Sequence, residues 1–297
     1  MADCVLIAVS YRNADGLERL LATVPGAAGP LSWHVVVVNN DPEEDLGPVV
    51  SGIPEVEVVE AGDNLGYAGG INLGLIAAPA SRWTVFLNPD VMLTPGSLVR
   101  MARAAGETTA VVPVIEDDDG RLQSSMRREP TVLRSLGDAL LGARWATRPA
   151  WLGETVLSTG PYETGGEVDW ATGAVLLVPT PAVTAVGPWD ERRFFLYSEE
   201  TDYCRRLRAH GCAVKVLPEA RVTHQGAGSG TSDALHALQE VNRVRYFRKW
   251  HSAPTTAVFW GVVILTNLLR SHRRRSRAAL QALLRPSSRA TLPGGGR

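Results

Sequence analysis

The sequence predicts an α/β fold: a mixed, mostly parallel sheet with helices on both faces, followed by a C-terminal helical segment. Two observations carry this. Four short apolar runs, Val5–Val9, Val35–Val38, Val56–Val59 and Thr84–Leu87, are each bounded by turn residues. Helix-like stretches near residues 14–23, 67–78 and 96–105 alternate with them. Strands that alternate with helices form parallel sheets covered on both faces.

In such sheets ligands bind beyond the carboxyl ends of the strands. The residues just after the apolar runs therefore draw attention: Ser10-Tyr11-Arg12-Asn13, Asn39-Asn40-Asp41 and Asn88-Pro89-Asp90. The pattern changes after about residue 110. Asp117–Gly120 reads as a turn between short strands, 131–165 as irregular, and Val168–Val178 as one longer strand interrupted by Gly173. A helix near 180–186, an acidic segment with its own helix, a strand at Ala213–Leu217 and a helix over 233–250 complete the reading. The expected division is 1–230 as one α/β domain, with halves 1–110 and 111–230, then C-terminal helices over 231–285. Residues 286–297, rich in Pro, Ser and Gly, are expected to be disordered.

The 297 residues carry a formal charge of −1, which hides an asymmetry. Eight arginines and no acid fall in residues 270–297, leaving 22 basic against 31 acidic residues before them. An acidic body argues against nucleic-acid binding. Cys4, Cys204 and Cys212 are too few and too scattered for a disulfide framework or a zinc site, which fits a reducing cytoplasm. Met1-Ala2-Asp3 leads directly into the first apolar run without a basic region, so no signal peptide is expected.

Five segments could carry chemistry. Tyr197–Arg206 puts Glu199, Glu200 and Asp202 at the start of a helix, where the dipole favours negative charge. Helical spacing sets Glu199 and Asp202 on one face and Glu200 on another. The plain alternative is an acidic first turn and a solvated basic face. Asn88-Pro89-Asp90 ends a strand with a carboxylate that can bind a hard cation, or simply forms a turn. Asn64–Gly74 is a glycine-rich turn entering a helix, suited to phosphate or to close helix–sheet packing. It has neither the GxGxxG spacing nor a Gly-Lys-Ser/Thr loop. His224 and the glycine-rich Gln225–Ser229 that follow a strand offer a metal or phosphate contact, or a polar surface. Asp169–Ala174 offers a tryptophan platform beside a glycine, or a core tryptophan beside a bulge.

Taken in order, these motifs resemble family-two inverting glycosyltransferases of the GT-A fold, a Rossmann-like architecture. The matching elements are Val9–Asn13, Val35–Asn40, Asn64–Asn72, Leu87–Val91, Gly173-Ala174, Gly187–Asp202 and His224, spanning about residues 4–230. The subgroup most similar is the bacterial rhamnosyltransferases acting on lipid-linked acceptors. The resemblance implies donor contacts from Ser10, Tyr11, Asn13, Asn39, Asn64, Gly66, Gly69, Asn72 and Asn88. It implies an acceptor site at Trp170, Thr172, Gly173 and Ala174, and a Mg²⁺ or Mn²⁺ site at Asp90 and His224. It gives Glu200 the role of catalytic base, with Glu199 and Asp202 beside it and Arg205 organising local charge. Three positions depart from the family pattern: Asn39 and Asn88 stand where acids are usual, and Glu200 stands for a shorter aspartate.

The expected reaction moves a sugar, L-rhamnose from dTDP-rhamnose by subgroup similarity, onto a hydroxyl of a glycan, lipid-linked or small-molecule acceptor in one inverting displacement. The competing reading is a catalytically inactive glycan- or lipid-binding relative, which the three departures keep open. A nucleotidyltransferase would need a lysine in the loop after the first strand, and residues 10–25 contain none. Residues 255–269 are fifteen mostly apolar residues, short for a membrane span. Arg270 and Arg273-Arg274-Arg275 follow at once. That pairing predicts peripheral contact with an anionic membrane through residues 255–277, at the inner face of the cell membrane.

Overall fold

A computed structural model describes residues 1–142, 145–224 and 232–295. The chain runs β1 (Ala2–Ser10), α1 (Ala14–Ala28), β2 (Trp33–Asn39), α2 (Gly47–Val50), β3 (Val56–Glu60), α3 (Gly66–Ala77), β4 (Ser81–Leu87), β5 (Val91–Leu93), α4 (Ser97–Ala105) and β6 (Thr109–Glu116). It continues with β7 (Met126–Arg127), α5 (Val132–Leu140), α6 (Gly160–Thr164), β8 (Gly166–Glu167), β9 (Trp170–Ala171), β10 (Val175–Pro179), α7 (Thr180–Val186), α8 (Glu199–Ala209) and β11 (Ala213–His224). Three helices close it: α9 (Asp233–Trp250), α10 (Ala253–Leu269) and α11 (Arg274–Leu284).

The main sheet has the order β3-β2-β1-β4-β10-β6-β11-β5, with β8 against β11. The strands β3, β2, β1 and β4 are parallel, as are β6 and β11, whereas β10 is antiparallel to both its neighbours. The order reverses between β1 and β4, so the crevice at their carboxyl ends is a topological switch point. One face packs α1 and α4 onto the sheet through Leu17, Leu20, Leu98 and Met101. The other packs α3, α7 and α8 through Ile71, Val183, Tyr203 and Leu207. This double cover explains the continuous apolar runs of β1 and β2.

The helices α9, α10 and α11 form a third core that includes Phe195 and Phe259. Phe247 and Phe259 stack at 3.9 Å, which ties α9 to α10. Several expectations need correction here. Residues 131–165 contain α5 and α6, whose short amphipathic patterns are masked by the surrounding Pro, Gly and Trp. The single strand expected over Val168–Val178 is two: β9 pairs with β7 in a separate two-stranded sheet, and β10 enters the main sheet. The tail expected to be disordered holds a 3-10 turn over Pro286–Thr291 and buries Leu292 in the third core. Composition alone could not foresee that Phe195 and α11 offer it a surface. Residues 296–297 of that tail lie outside the described residues.

Candidate active site

The site begins with backbone strain. Tyr197 and Ser198 both take left-handed conformations, φ 70° and 71°, immediately before α8. Two consecutive non-glycine residues there are uncommon and costly, and persist only where the surroundings impose them. The surroundings are visible: Asn242 of α9 donates to the carbonyls of Leu196 and Tyr197 at 2.9 and 3.3 Å. Below, Trp189 stacks on Tyr203 at 4.3 Å and both meet Phe86 of β4 edge-on. The start of α8 is thereby fixed against the sheet.

That placement aims Glu199 and Glu200 into a cavity of about 520 Å³. One carboxylate oxygen of each is buried without a hydrogen-bond partner among the described residues. Burial pushes both carboxyls up. Glu200 rises to about 7, with Arg127 and backbone N–H groups working the other way. Glu199 is raised well above its ordinary value by burial, with like-charge repulsion from Glu200 adding to it. A cavity wall with a carboxyl poised near neutrality suits a general base.

The same cavity gathers residues from distant parts of the chain. Asn88 and His224 line it, as do Trp170, Thr172, Gly173 and Ala174. A Cβ on Gly173 would stand 3.7 Å from Glu200 Cβ, so this backbone is in close approach to the acid. Trp170 is 8% exposed and donates its indole N–H to the Arg128 carbonyl at 3.1 Å, so it is at once core residue and cavity lining. Asp90 adjoins through His224: its Oδ1 lies 3.2 Å from His224 Nε2, and the Asn88 amide lies 3.5 Å from the same nitrogen. Burial works to raise the Asp90 carboxyl, but the hydrogen bond and charge of His224 prevail and hold it below its ordinary value. His224 pairs across from Val91 in the β11–β5 ladder, which explains why residues 134 apart converge. The glycine-rich segment Gln225–Ser229 lies outside the described residues.

The residues expected to contact the donor form a second group at the ends of β1 and β2. Tyr11 is 45% exposed there. Asn13 receives the Glu44 carboxylate on its backbone N–H, and Asn64 accepts from Gly66 N–H at 3.0 Å. Ser10 is fully buried with an unpartnered hydroxyl among the described residues. Others in the predicted set are scaffold. Asn39 is buried, with its amide given to Glu44 O and Glu60. Asn72 spends its side chain on Trp189 and Glu191, tying α3 to the segment before α8. Gly69 is buried inside α3, where a Cβ would press on Leu65 at 2.9 Å. Gly66, at φ 74°, lets α3 start against Phe195, whose carbonyl accepts from Tyr67 N–H at 2.8 Å.

Asp202 departs most from expectation. It does not share a cavity-facing side with Glu199; Glu199 and Glu200 line the cavity together. Asp202 is fully buried behind them, bonded to Arg206 at 2.9 Å, Lys249 at 2.7 Å and Trp250 at 2.9 Å. The first turn opens from left-handed residues, which sets the helix rotation that spacing alone cannot give. Arg205 likewise engages Glu129 at 2.6 Å instead of Glu199 or Glu200. Arg127 and Tyr67 also line the cavity and were missed. Arg127 lies 73 positions before Glu200 in an arginine pair without a distinctive pattern.

Residues 4–246 match the family described as Glycosyltransferase like family 2. The chain belongs to that family. It is a glycosyltransferase, and the sequence resemblance drawn from the ordered motifs is upheld. A Mycobacterium tuberculosis protein, N-acetylglucosaminyl-diphospho-decaprenol L-rhamnosyltransferase, is 30% identical over 293 residues, covering 92% of this chain and 94% of its own. The fold is GT-A. The mannosyltransferase PcManGT from Pyrobaculum calidifontis, solved with GDP-Man and Mn²⁺, aligns at TM-score 0.56 and 14% identity, covering 99% of this chain and 90% of that one. GalNAc-T7, solved with UDP, GalNAc and Mn²⁺, aligns at TM-score 0.59 and 12% identity, covering 92% of this chain but only 55% of that one.

Proposed function

We propose that this glycosyltransferase moves L-rhamnose from dTDP-rhamnose to a hydroxyl of a lipid-linked glycan acceptor, with inversion, using Glu200 as base. The observation that carries the reading is Glu200 itself. Glu200 lines the cavity that Asn88 and His224 also line, at the switch point of the sheet, and one of its carboxylate oxygens has no hydrogen-bond partner among the described residues. The choice of sugar and acceptor is supported by the 30% identical relative and the activity in its name.

Asp90 and His224 fit a divalent cation: one carboxylate and one imidazole, 3.2 Å apart, at the ends of neighbouring strands. Among the described residues no group of three or more His, Cys, Asp or Glu side chains gathers to hold a metal. A two-residue site leaves the remaining positions to the donor diphosphate and water. When bound there, Mg²⁺ or Mn²⁺ supplies positive charge against the leaving diphosphate. Glu200 accepts the proton of the acceptor hydroxyl as the new bond forms, which contributes about 10²- to 10⁴-fold in rate. Trp170 offers the acceptor sugar an apolar edge, and Gly173 keeps the wall beside Glu200 open.

The reading also sets the chain against the inner face of the cell membrane. No described helix is long and apolar enough to cross a bilayer. Instead α10 exposes Val258, Trp260, Leu265, Leu268 and Leu269 beside the arginine cluster. An apolar face next to basic residues suits an anionic surface.

The test is transfer from dTDP-rhamnose, UDP-glucose and GDP-mannose to a GlcNAc-diphospho-lipid, with and without EDTA. Rhamnose transfer that EDTA abolishes and Mn²⁺ restores is expected. No turnover with any donor would favour the inactive binding protein.

A further inference from the structure

We propose that the wall of the cavity formed by β7, β9 and the end of α10 holds a phosphate-binding subsite for an amphiphilic acceptor, built from Arg127 and Arg270. The proposal rests on the transfer reading above and specifies where the acceptor's charged linkage goes.

Three arginines line the cavity: Arg127, Arg243 and Arg270. Arg243 is matched, with Glu154 at 3.3 Å and Glu240 at 3.6 Å. The other two have no carboxylate within ion-pair distance among the described residues. Arg127 donates to the carbonyls of Ser124 and Met126, and Arg270 donates to the Ala139 carbonyl at 3.2 Å. Neutral carbonyls satisfy donors but form no ion pair, and Glu154, Asp138 and Glu200 offset the Arg127 charge only from beyond ion-pair distance, so its desolvation is incompletely matched. The cost shows at Arg127, whose guanidinium is held below its ordinary proton affinity by desolvation. Arg127 is held in place from two sides. Its backbone pairs with Trp170 in the β7–β9 ladder, and its guanidinium lies 5.9 Å over the Trp170 ring. A guanidinium held in place in a cavity without a direct carboxylate partner matches phosphate oxygens in geometry and charge.

The order of features along the wall selects the ligand class. Leu265, Leu268 and Leu269 are exposed on α10, and Arg270 follows directly at the cavity rim. Arg127 lies further in and feels the charge of Glu200. Apolar surface, Arg270, Arg127 and Glu200 thus border one cavity, whose lining also includes Asp138, Glu154 and the Arg243-paired Glu240. A polyprenyl diphosphate bearing a sugar has the same sequence of parts: tail, anion and hydroxyl. Its tail would stay with the lipid while its diphosphate gives the two guanidinium groups a direct anionic partner.

The full chain, with its donor site saturated by dTDP and Mn²⁺, is titrated calorimetrically with farnesyl diphosphate and with farnesol. Wild type is expected to bind the diphosphate at least about 30-fold more tightly. Arg127→Gln and Arg270→Gln should each lose about tenfold in diphosphate affinity, the loss of one charged hydrogen-bond partner, and bind farnesol within about twofold of wild type. Arg127→Lys should recover part of the loss. Arg270 is at the rim, so its variant reads the subsite even if the Arg127 variant melts early. Equal affinity of wild type for the two ligands, equal loss of both in the variants, or exclusion of farnesyl diphosphate by dTDP would overturn the proposal. Binding needs no turnover: a chain that prefers the diphosphate but transfers nothing fails the transfer reading alone, and an active chain without the preference fails the subsite alone.

Discussion

Replacing Glu200 with glutamine should make the protein more stable while removing its activity. Burial lifts the Glu200 carboxyl from an ordinary 4.5 to about 7. Between these values the folded chain keeps a proton that the unfolded chain has released, so stability falls as pH rises through that window. At about 1.4 kcal/mol per tenfold change in proton affinity, the full penalty reaches roughly 3 kcal/mol at pH 8 and drops below about 1 kcal/mol at pH 5. Glutamine carries no charge at either pH and escapes the penalty. The gain at pH 8 is then about 1–3 kcal/mol, the lower figure allowing for backbone N–H groups that favour a carboxylate over an amide. For a chain of this length each kcal/mol is worth about 2 °C in Tm, so Glu200→Gln should melt roughly 2–6 °C higher than wild type at pH 8. At pH 5 the difference should shrink to about 2 °C or less. Calorimetry at the two pH values measures this, and transfer assays should show kcat reduced about 10²- to 10⁴-fold. Wild-type kcat/KM should rise about tenfold per pH unit below 7 and level off above it. An identical Tm difference at pH 5 and pH 8 would refute burial of the charge as the cause. Unchanged turnover would remove Glu200 from the role of base.

Three further perturbations probe how the site is held. Gly66 sits at φ +74° with a would-be Cβ 2.2 Å from the Phe195 carbonyl oxygen, so Gly66→Ala should lose at least about 2 kcal/mol in urea denaturation. A wild-type midpoint would mean that α3 can start elsewhere. Asp202→Ala removes the buried counter-charge of Arg206, while Lys249 keeps Asp190 at 2.8 Å, and should cost about 3 kcal/mol. A variant as stable as wild type yet inactive would move Asp202 into the chemistry. Exchange of Arg273, Arg274 and Arg275 for glutamine should weaken flotation with anionic vesicles about 10²-fold, at roughly 1 kcal/mol per charge. Flotation equal to wild type would count against membrane contact. This variant is a cleaner probe than cutting the chain before α10, because Phe259 and Val263 belong to the third core.

The sequence by itself determined the parallel half of the sheet. The apolar runs of β1 to β4 and the helices between them are local patterns, and local patterns are what residue order records. It also marked the acids in the first turn of α8, the strand-end Asp90 and the strand-end His224, since each follows an apolar run that has to stop. Tertiary structure alone decided which of these cooperate. Asp202 and Glu200 are two residues apart, yet left-handed Tyr197 and Ser198 set the rotation that turns Glu200 to the cavity and Asp202 to Lys249. The family resemblance put Asn72 among the donor contacts, but its side chain is engaged by Trp189 and Glu191 from 117 and 119 positions away. Arg127 was invisible for the converse reason: what singles it out is a carboxylate that fails to arrive. A missing partner is a property of packing in three dimensions, and no spacing along the chain records it.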